Sequence, residues 1–308
     1  MKVNIVQTET FENERINGKL FYPSIIANAI FKRGIDVELS SLPRWQEKLK
    51  DLNFRASPGE IIHFRCLASR EPIWTGRSVV NELANRGFIC VNGDEALYNS
   101  RDKHYGQLLA QSNNIPIAPT HPKLIGGQDS DALKKLALIM DQNDWPSIVI
   151  KPCFSSGNGA NVWKINRDEV ETFDTRRLSR EVPWWVVQKC INYNRMIRAI
   201  LHGGKLVREC VTYDSPLNGG WKCTVCINPH IAHEKNPSDE LASFVENVCR
   251  MIKADNPGIA YIDVFETDNG YVYGETNVNC TLEQHEQVTG FKIHQHKADY
   301  LVGLLRSN

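Results

Sequence analysis

The most informative stretch of the chain is residues 261–279, Y-I-D-V-F-E-T-D-N-G-Y-V-Y-G-E-T-N-V-N. Asp268-Asn269-Gly270 is a turn signal between two runs of aromatic and β-branched residues, which predicts a β-hairpin. Strand side chains alternate between faces, so Glu275, Asn277 and Asn279 share one face. If the strands pair across the turn, Asp263 stands opposite that row. Two carboxylates beside carboxamides are hard oxygen ligands of the kind Mg²⁺ takes. Mg²⁺ completes its shell with water and substrate phosphates, so the stretch points to phosphate handling. A surface hairpin with solvated acids gives the same letters. The residues upstream separate the two readings.

Residues 147–162 read S-I-V-I-K-P-C-F-S-S-G-N-G-A-N-V. This predicts a buried strand ending in Lys151, a small-residue loop with Ser155, Ser156, Gly157 and Gly159, and a second strand from about 161 to 165. Such loops let backbone N–H groups converge on phosphate oxygens, and the lysine adds a point charge. A Walker loop is absent, because G-x-x-x-x-G-K-[ST] does not occur and no helix follows directly. Alone, the loop is also compatible with a plain hairpin turn.

The chain has 308 residues, enough for two or three domains. Lysine plus arginine equals aspartate plus glutamate at 36 each, so no global charge favours nucleic acid or an anionic membrane. No apolar run approaches the ~20 residues of a spanning helix. The first residues read as a strand rather than a secretion signal. Nine scattered cysteines fit a reducing compartment, and the protein is expected to be cytoplasmic. The lone pair Cys223 and Cys226 lacks the second pair a zinc site needs, and its alternation with Val225 and Ile227 reads as a strand.

Residues 1–100 alternate strands, at about 2–6, 35–40, 60–65 and 88–92, with helices around 22–33 and 72–86. That order argues for a parallel sheet with helices on its faces. Arg65 ends a strand, where open α/β sheets tend to bind ligands. Arg44, Lys48 and Lys50 around Trp45 read as a polar loop with one packed aromatic. Ser100 is the expected N-cap of a helix reaching Ser112, with Leu108 and Leu109 as its apolar face. A helix near 129–141 precedes the Lys151 strand. Residues 184–191 form a strand running into a connector, and strands near 196–202 and 205–213 follow. A helix over 238–253, capped by Ser238, carries Leu241, Phe244, Val245, Val248 and Ile252 on one stripe. Residues 282–288 and 291–305 read as the last two helices. The histidines show no ligand spacing and are assigned no metal.

Taken in order, Asp102-Lys103, Lys151-Pro152 with its loop, Gln188-Lys189-Cys190-Ile191, Arg198, Lys222, and Asp263 with Glu275-Thr276-Asn277 resemble the ATP-grasp superfamily. They look most like its RimK-type branch, which holds the ribosomal-protein glutamate ligase and glutathione synthetase enzymes. The likeness spans about residues 101–290 and includes Thr289-Gly290. It implies an α/β and α+β protein: an N-terminal parallel-sheet domain over 1–100, a central ATP-grasp subdomain over 101–187, and a C-terminal subdomain with the metal site over 188–308. It implies that Lys103, Lys151 and the loop residues Ser155, Ser156, Gly157 and Gly159 hold phosphates. Gln188, Lys189 and Ile191 would edge the adenine, and Asp263, Glu275 and Asn277 would bind two Mg²⁺, with Mn²⁺ as the alternative ion. Arg198 and Lys222 would act on the developing charge. The implied reaction joins a carboxylate to an amine through an acylphosphate. Its implied partners are small molecules or a peptide or protein acceptor, with no nucleic acid and no membrane; a homo-oligomer is a common arrangement a priori.

Four positions depart from the pattern. Ser155 stands where the family usually has Gly. Met196 stands where it often has a nucleotide-contacting Asp, a role that Asn194 is a candidate to fill. Lys222 replaces an Arg, and Thr224 replaces an Asn. Arg and Lys are not equivalent at a bidentate site. The departures keep open a nucleotide-binding module that no longer ligates, and a protein that uses only the fold for interaction.

Overall fold

The computed structural model describes the chain apart from residues 8–14, 17–18, 21, 66–69, 127–130, 155–160, 179–183, 217–220, 222–230, 279–282 and 308. Ser155, Ser156, Gly157, Gly159, Lys222, Thr224, Asn279 and the pair Cys223 and Cys226 therefore lie outside the described residues.

The first layer is a parallel sheet. Its strands are β1 (Lys2–Gln7), β4 (Asp36–Ser41), β5 (Glu60–Arg65) and β6 (Ile89–Val91), in the order β4-β1-β5-β6. A two-stranded ribbon, β2 (Arg15–Ile16) with β3 (Lys19–Leu20), lies apart. Helices α1 (Tyr22–Phe31), α2 (Leu42–Lys48) and α3 (Arg70–Asn85) alternate with these strands. The sheet buries both faces, as parallel sheets do. Val3, Ile5 and Ile61 share a core with Ile26 and Ile30 of α1, whereas Val6, Ile62 and Phe64 face Trp45, Val79 and Leu83. The segment expected to be a polar loop around Trp45 is helix α2. Pro43 sits at its start, where a missing N–H costs nothing, and fully buried Trp45 donates to Ser40 Oγ at 2.6 Å.

Two short helices, α4 (Asp94–Arg101) and α5 (Lys103–Ser112), meet at a sharp corner. The N-cap of α5 is Asp102, not Ser100: Asp102 Oδ1 accepts from the Tyr105 N–H at 2.9 Å, while Ser100 donates to the Leu97 carbonyl inside α4. The expected apolar face of α5 is also displaced. Gly106, Gln107 and Ala110 are buried, and Leu108 is exposed. The cause is close packing: a Cβ on Gly106 would stand 3.2 Å from the Asn99 carbonyl, so the helix turns its small residues inward.

A second, antiparallel sheet holds β7 (Ile125–Gly126), β8 (Ser147–Pro152), β9 (Trp163–Asn166) and β10 (Trp184–Lys189), in the order β7-β10-β8-β9. Helix α6 (Ala132–Asn143) packs on it through Leu136, Ile139 and Met140. The third sheet contains β11 (Arg195–His202), β12 (Lys205–Leu206), β13 (Thr212–Asp214), β14 (Ala232–His233), β15 (Ile259–Thr267) and β16 (Gly270–Asn277). Its main order is β14-β13-β11-β15-β16, with β12 beside β11. The single strand expected over 205–213 is broken into β12, a 3₁₀ turn at Arg208–Cys210 and β13.

Helix α7 (Asp239–Met251) covers one face of this sheet. Ser238 caps it, accepting from the Leu241 N–H at 3.0 Å, and Leu241, Val245 and Val248 pack on Ile197, Ala199, Ile262 and Val264. The opposite face is divided. Ile200 and Tyr261 lie under α9 (Ile293–Ser307), which returns to pack on α1. The remainder of that face carries the polar residues described next, near α8 (Glu283–Thr289).

Candidate active site

The hairpin forms as its sequence predicts, with Gly270 at φ +102° in the turn and Asp263 paired with Glu275. Arg198 on β11 pairs with Asp263 on one side and with Thr212 of β13 on the other. Four consecutive strands thus place Thr212, Arg198, Asp263 and Glu275 in one transverse row on one face. Three strand spacings make that row roughly 14 Å long. A β-bulge between Asp263 and Val264 shapes its end. Alternation alone would put Tyr273 and Glu275 on the same face. The bulge turns buried Tyr273 toward the core under α5 and leaves Glu275 in the row. Gly274 is required there, because a Cβ would lie 2.9 Å from the Asp263 carbonyl oxygen. Gln107 Nε2 donates to the Gly274 carbonyl at 2.8 Å and holds the bulge against α5.

Arg198 grips Asp263 with two parallel bonds, Nε to Oδ1 and Nη2 to Oδ2, both 2.6 Å. Burial raises the Asp263 carboxyl pKa against the pull of that guanidinium. Glu275 behaves differently. Burial alone would raise it, but Lys103, Lys151 and Arg198 outweigh burial and hold it at about 2. Lys103 Nζ is 3.7 Å from Glu275 Oε2. Lys151 comes from the neighbouring sheet, buried at the end of β8; desolvation lowers its pKa to about 8 although Glu275 stabilises its charge. Among the described residues three cations therefore face two carboxylates, a net surplus of positive charge suited to an anionic ligand.

The α4–α5 corner joins these parts. Lys103 N–H donates to the Cys153 carbonyl at 3.0 Å, the Cys153 thiol donates to Asp102 Oδ1 at 3.0 Å, and the Tyr98 hydroxyl donates to Asp102 Oδ2 at 3.3 Å. Arg101 Nη1 donates to Asn277 Oδ1 at 3.2 Å, and Asn277 Nδ2 donates to Glu275 Oε1 at 3.2 Å. Asp263, Glu275 and Asn277 thus form a compact set of oxygen donors. A carboxylate has about four lone-pair sites, so Asp263 can keep Arg198 and still ligate a cation. The donor set fits Mg²⁺.

Farther along, Gln188 Nε2 donates to Thr120 Oγ1 at 2.7 Å, and the N–H groups of Lys189 and Cys190 are taken by the carbonyls of Pro119 and Ser147. Lys189 and Cys190 would therefore meet a ligand through their carbonyl oxygens. Ile191 follows, half-buried.

Several site residues were not read from the sequence. Arg101 and Cys153 flank the recognised Asp102-Lys103 and Lys151-Pro152, and their own signal is only that adjacency. Asn194, the candidate to replace an acid at Met196, donates through Nδ2 to Asp268 Oδ1 at the hairpin turn, 2.9 Å away. A carboxylate does lie across from Met196: Asp214 on β13, its register partner, fully buried. His285 of α8 is buried beside the row, its Nδ1 2.8 Å from Thr212 Oγ1. Burial first, and then the Arg198 charge, lowers its pKa to about 3.

The sequence matches no protein-family model and no curated protein. The structure is similar to that of the ATP-grasp ligase PsnB complexed with a phosphomimetic variant of its minimal precursor, Mg and ADP, with a TM-score of 0.67 over 98% of both chains at 13% identity. The chain has the ATP-grasp fold. A RimK domain ATP-grasp protein from Sphaerobacter thermophilus superposes with a TM-score of 0.61 over 98% of this chain and 100% of that one, at 15% identity. D-alanine–D-alanine ligase from Bacillus anthracis gives 0.67 over 99% and 97%, at 12% identity. The ATP-grasp architecture expected from the ordered motifs is thus present along nearly the whole chain. Among the described residues no helix is long and apolar enough to cross a membrane.

Proposed function

We propose that the protein is an ATP- and Mg²⁺-dependent ligase that joins a carboxylate to an amine. The observation that carries this reading is the convergence of Lys103, Lys151 and Arg198 on buried Asp263 and partly buried Glu275, within the ATP-grasp fold. In this reading residues 1–100 are a leading domain, and 101–187 and 188–308 clasp the nucleotide. A substrate carboxylate attacks the γ-phosphorus of ATP and ADP leaves; an amine then attacks the acyl carbon, and phosphate departs. Such chemistry asks the protein mainly to position groups and to stabilise charge, so no protein nucleophile is needed.

Lys103 and Lys151 hold phosphate oxygens, and Ser155, Ser156, Gly157 and Gly159 share that role. The backbone of Gln188, Lys189 and Ile191 edges the base. Asp214, across the strand from Met196, supplies the carboxylate that position 196 lacks. Asp263, Glu275 and Asn277 would hold Mg²⁺, two ions in this reading, which neutralises charge on the transferring phosphoryl group. Arg198 and Lys222 stabilise the oxyanion that follows. The acceptor is an amino acid, a peptide or a protein tail. The likeness to PsnB, solved with its precursor peptide, supports a peptide among these.

A screen of carboxylate and amine pairs, read by ADP and phosphate release, tests the proposal. Release that requires both partners is the expected result. ATP-dependent thermal stabilisation without release in any pairing would instead favour a nucleotide-binding module, a reading motivated by buried Met196 in place of an acid.

A further inference from the structure

The carboxamide of Asn277 has two ends of similar shape and opposite chemistry. Only its oxygen can ligate a cation; its NH₂ can only donate. Which end is presented is therefore a functional variable, and two contacts fix it. Nδ2 donates to Glu275 Oε1 at 3.2 Å, and Oδ1 accepts from Arg101 Nη1 at 3.2 Å. A flipped amide would set its NH₂ against a guanidinium, which has no acceptor, and its oxygen against a carboxylate, which has no donor. Both bonds would be lost and both contacts would become repulsive. Arg101 is the stronger of the two constraints, because guanidinium stays charged in proteins and never accepts a hydrogen bond.

The placement of Arg101 agrees with this role. It is 6% exposed, the last residue of α4, and its charge is spent partly on a neutral amide. Two residues on, Lys103 meets the other oxygen of Glu275. One three-residue corner thus addresses both Glu275 and Asn277.

We propose that Arg101 is a positioning residue for the divalent-ion site: it orients the Asn277 carboxamide so that the second lone pair of Oδ1 faces the cation. The proposal rests on the ligase reading above, in which Asn277 is a metal ligand.

The test is Mn²⁺ binding in the presence of ADP, followed by electron paramagnetic resonance without turnover, on the full chain. The wild type binds Mn²⁺. Arg101→Met weakens that binding by about tenfold or more, the usual loss when a group supporting a metal ligand is removed. Arg101→Lys, which keeps a cationic donor, recovers part of it. Asn277→Ala also weakens binding, and Arg101→Met costs nothing further in the Asn277→Ala background, because the two act as one unit. A purely structural arginine would instead give additive losses in that cycle. Additive losses, or wild-type Mn²⁺ affinity in Arg101→Met, overturn the proposal alone. A wild type that binds no Mn²⁺ with ADP overturns the metal-site reading as well. If Arg101→Met does not fold, the same cycle with Arg101→Lys decides, since Lys also loses the planar fork.

Discussion

The Cys153 thiol lies 3.0 Å from Asp102 Oδ1, and this contact ties the residue before Lys103 to the residue two after Lys151. Lys103 and Lys151 reside on different elements, α5 and β8, so something must set their separation. Asp102 does so with three contacts: the Tyr105 N–H, the Cys153 thiol and the Tyr98 hydroxyl. Burial, reinforced by Asp102, pushes the thiol up to about 12, so it remains a neutral donor at physiological pH.

Asp102→Ala removes the N-cap of α5 together with this link. The expected loss is about 1–2 kcal/mol of stability by urea titration, the usual range for a lost cap. The Michaelis constant for ATP should also rise severalfold. Cys153→Ala keeps the cap and should raise that constant with little change in melting temperature. An unchanged constant in both variants would deny the corner its positioning role.

Lys151 gives a pH signature. Its folded-state value of about 8 lies below the ordinary 10.5. Between those values the unfolded chain binds more protons, so stability rises with pH from about 8 to 10.5. The gain approaches about 3 kcal/mol, at about 1.4 kcal/mol for each pH unit across that window. Relative to Lys151→Met, the wild type should gain stability across this window while its affinity for ATP falls. Parallel curves for the two proteins would place the lysine in a solvated setting.

The legible parts of the site were those set by local pattern. A D-N-G turn fixes a hairpin, and strand alternation then fixes which residues share a face, so Asp263 opposite Glu275 could be read directly. The parallel sheet followed from alternating strands and helices. What escaped depends on non-local packing. The bulge at Gly274 that reverses Tyr273 is held by Gln107 of a distant helix, which donates to the Gly274 carbonyl. Arg101, 176 residues from Asn277, has no pattern that announces the pairing. Asp214 faces Met196 through a register that only strand pairing defines. Corner geometry likewise moved the cap from Ser100 to Asp102, since either residue suits that position.

His285 predicts acid sensitivity. Its folded value of about 3 lies below the ordinary 6.5, with burial as the main cause. The unfolded chain therefore binds the extra proton first, and stability is lost as pH falls from 6.5 toward 3. The loss from this group is about 1.4 kcal/mol per pH unit over that window. His285→Gln keeps a partner for Thr212 Oγ1 and cannot titrate. It should show a shallower acid limb in urea titrations between pH 6.5 and 4.5. Equal slopes would mean that the imidazole is hydrated.

The Arg198–Asp263 pair separates function from stability. Removing one partner of a buried ion pair strands the other charge and costs about 3–5 kcal/mol, whereas replacing both with apolar groups of similar volume is often neutral. Both side chains here are about nine-tenths buried, and the pair has two bonds of 2.6 Å. Arg198→Met should therefore destabilise the protein strongly. The double variant Arg198→Met with Asp263→Leu should regain most of that loss. Lys103 and Lys151 still face Glu275 in the double variant, so its remaining acid is not left alone. If the protein is the ligase proposed, phosphate release should be absent from both variants, because one lacks the guanidinium and the other also lacks the carboxylate proposed to hold Mg²⁺. A double variant as unstable as Arg198→Met would mean that Asp263 is held by more than its arginine, and that the row derives its stability from the acid itself.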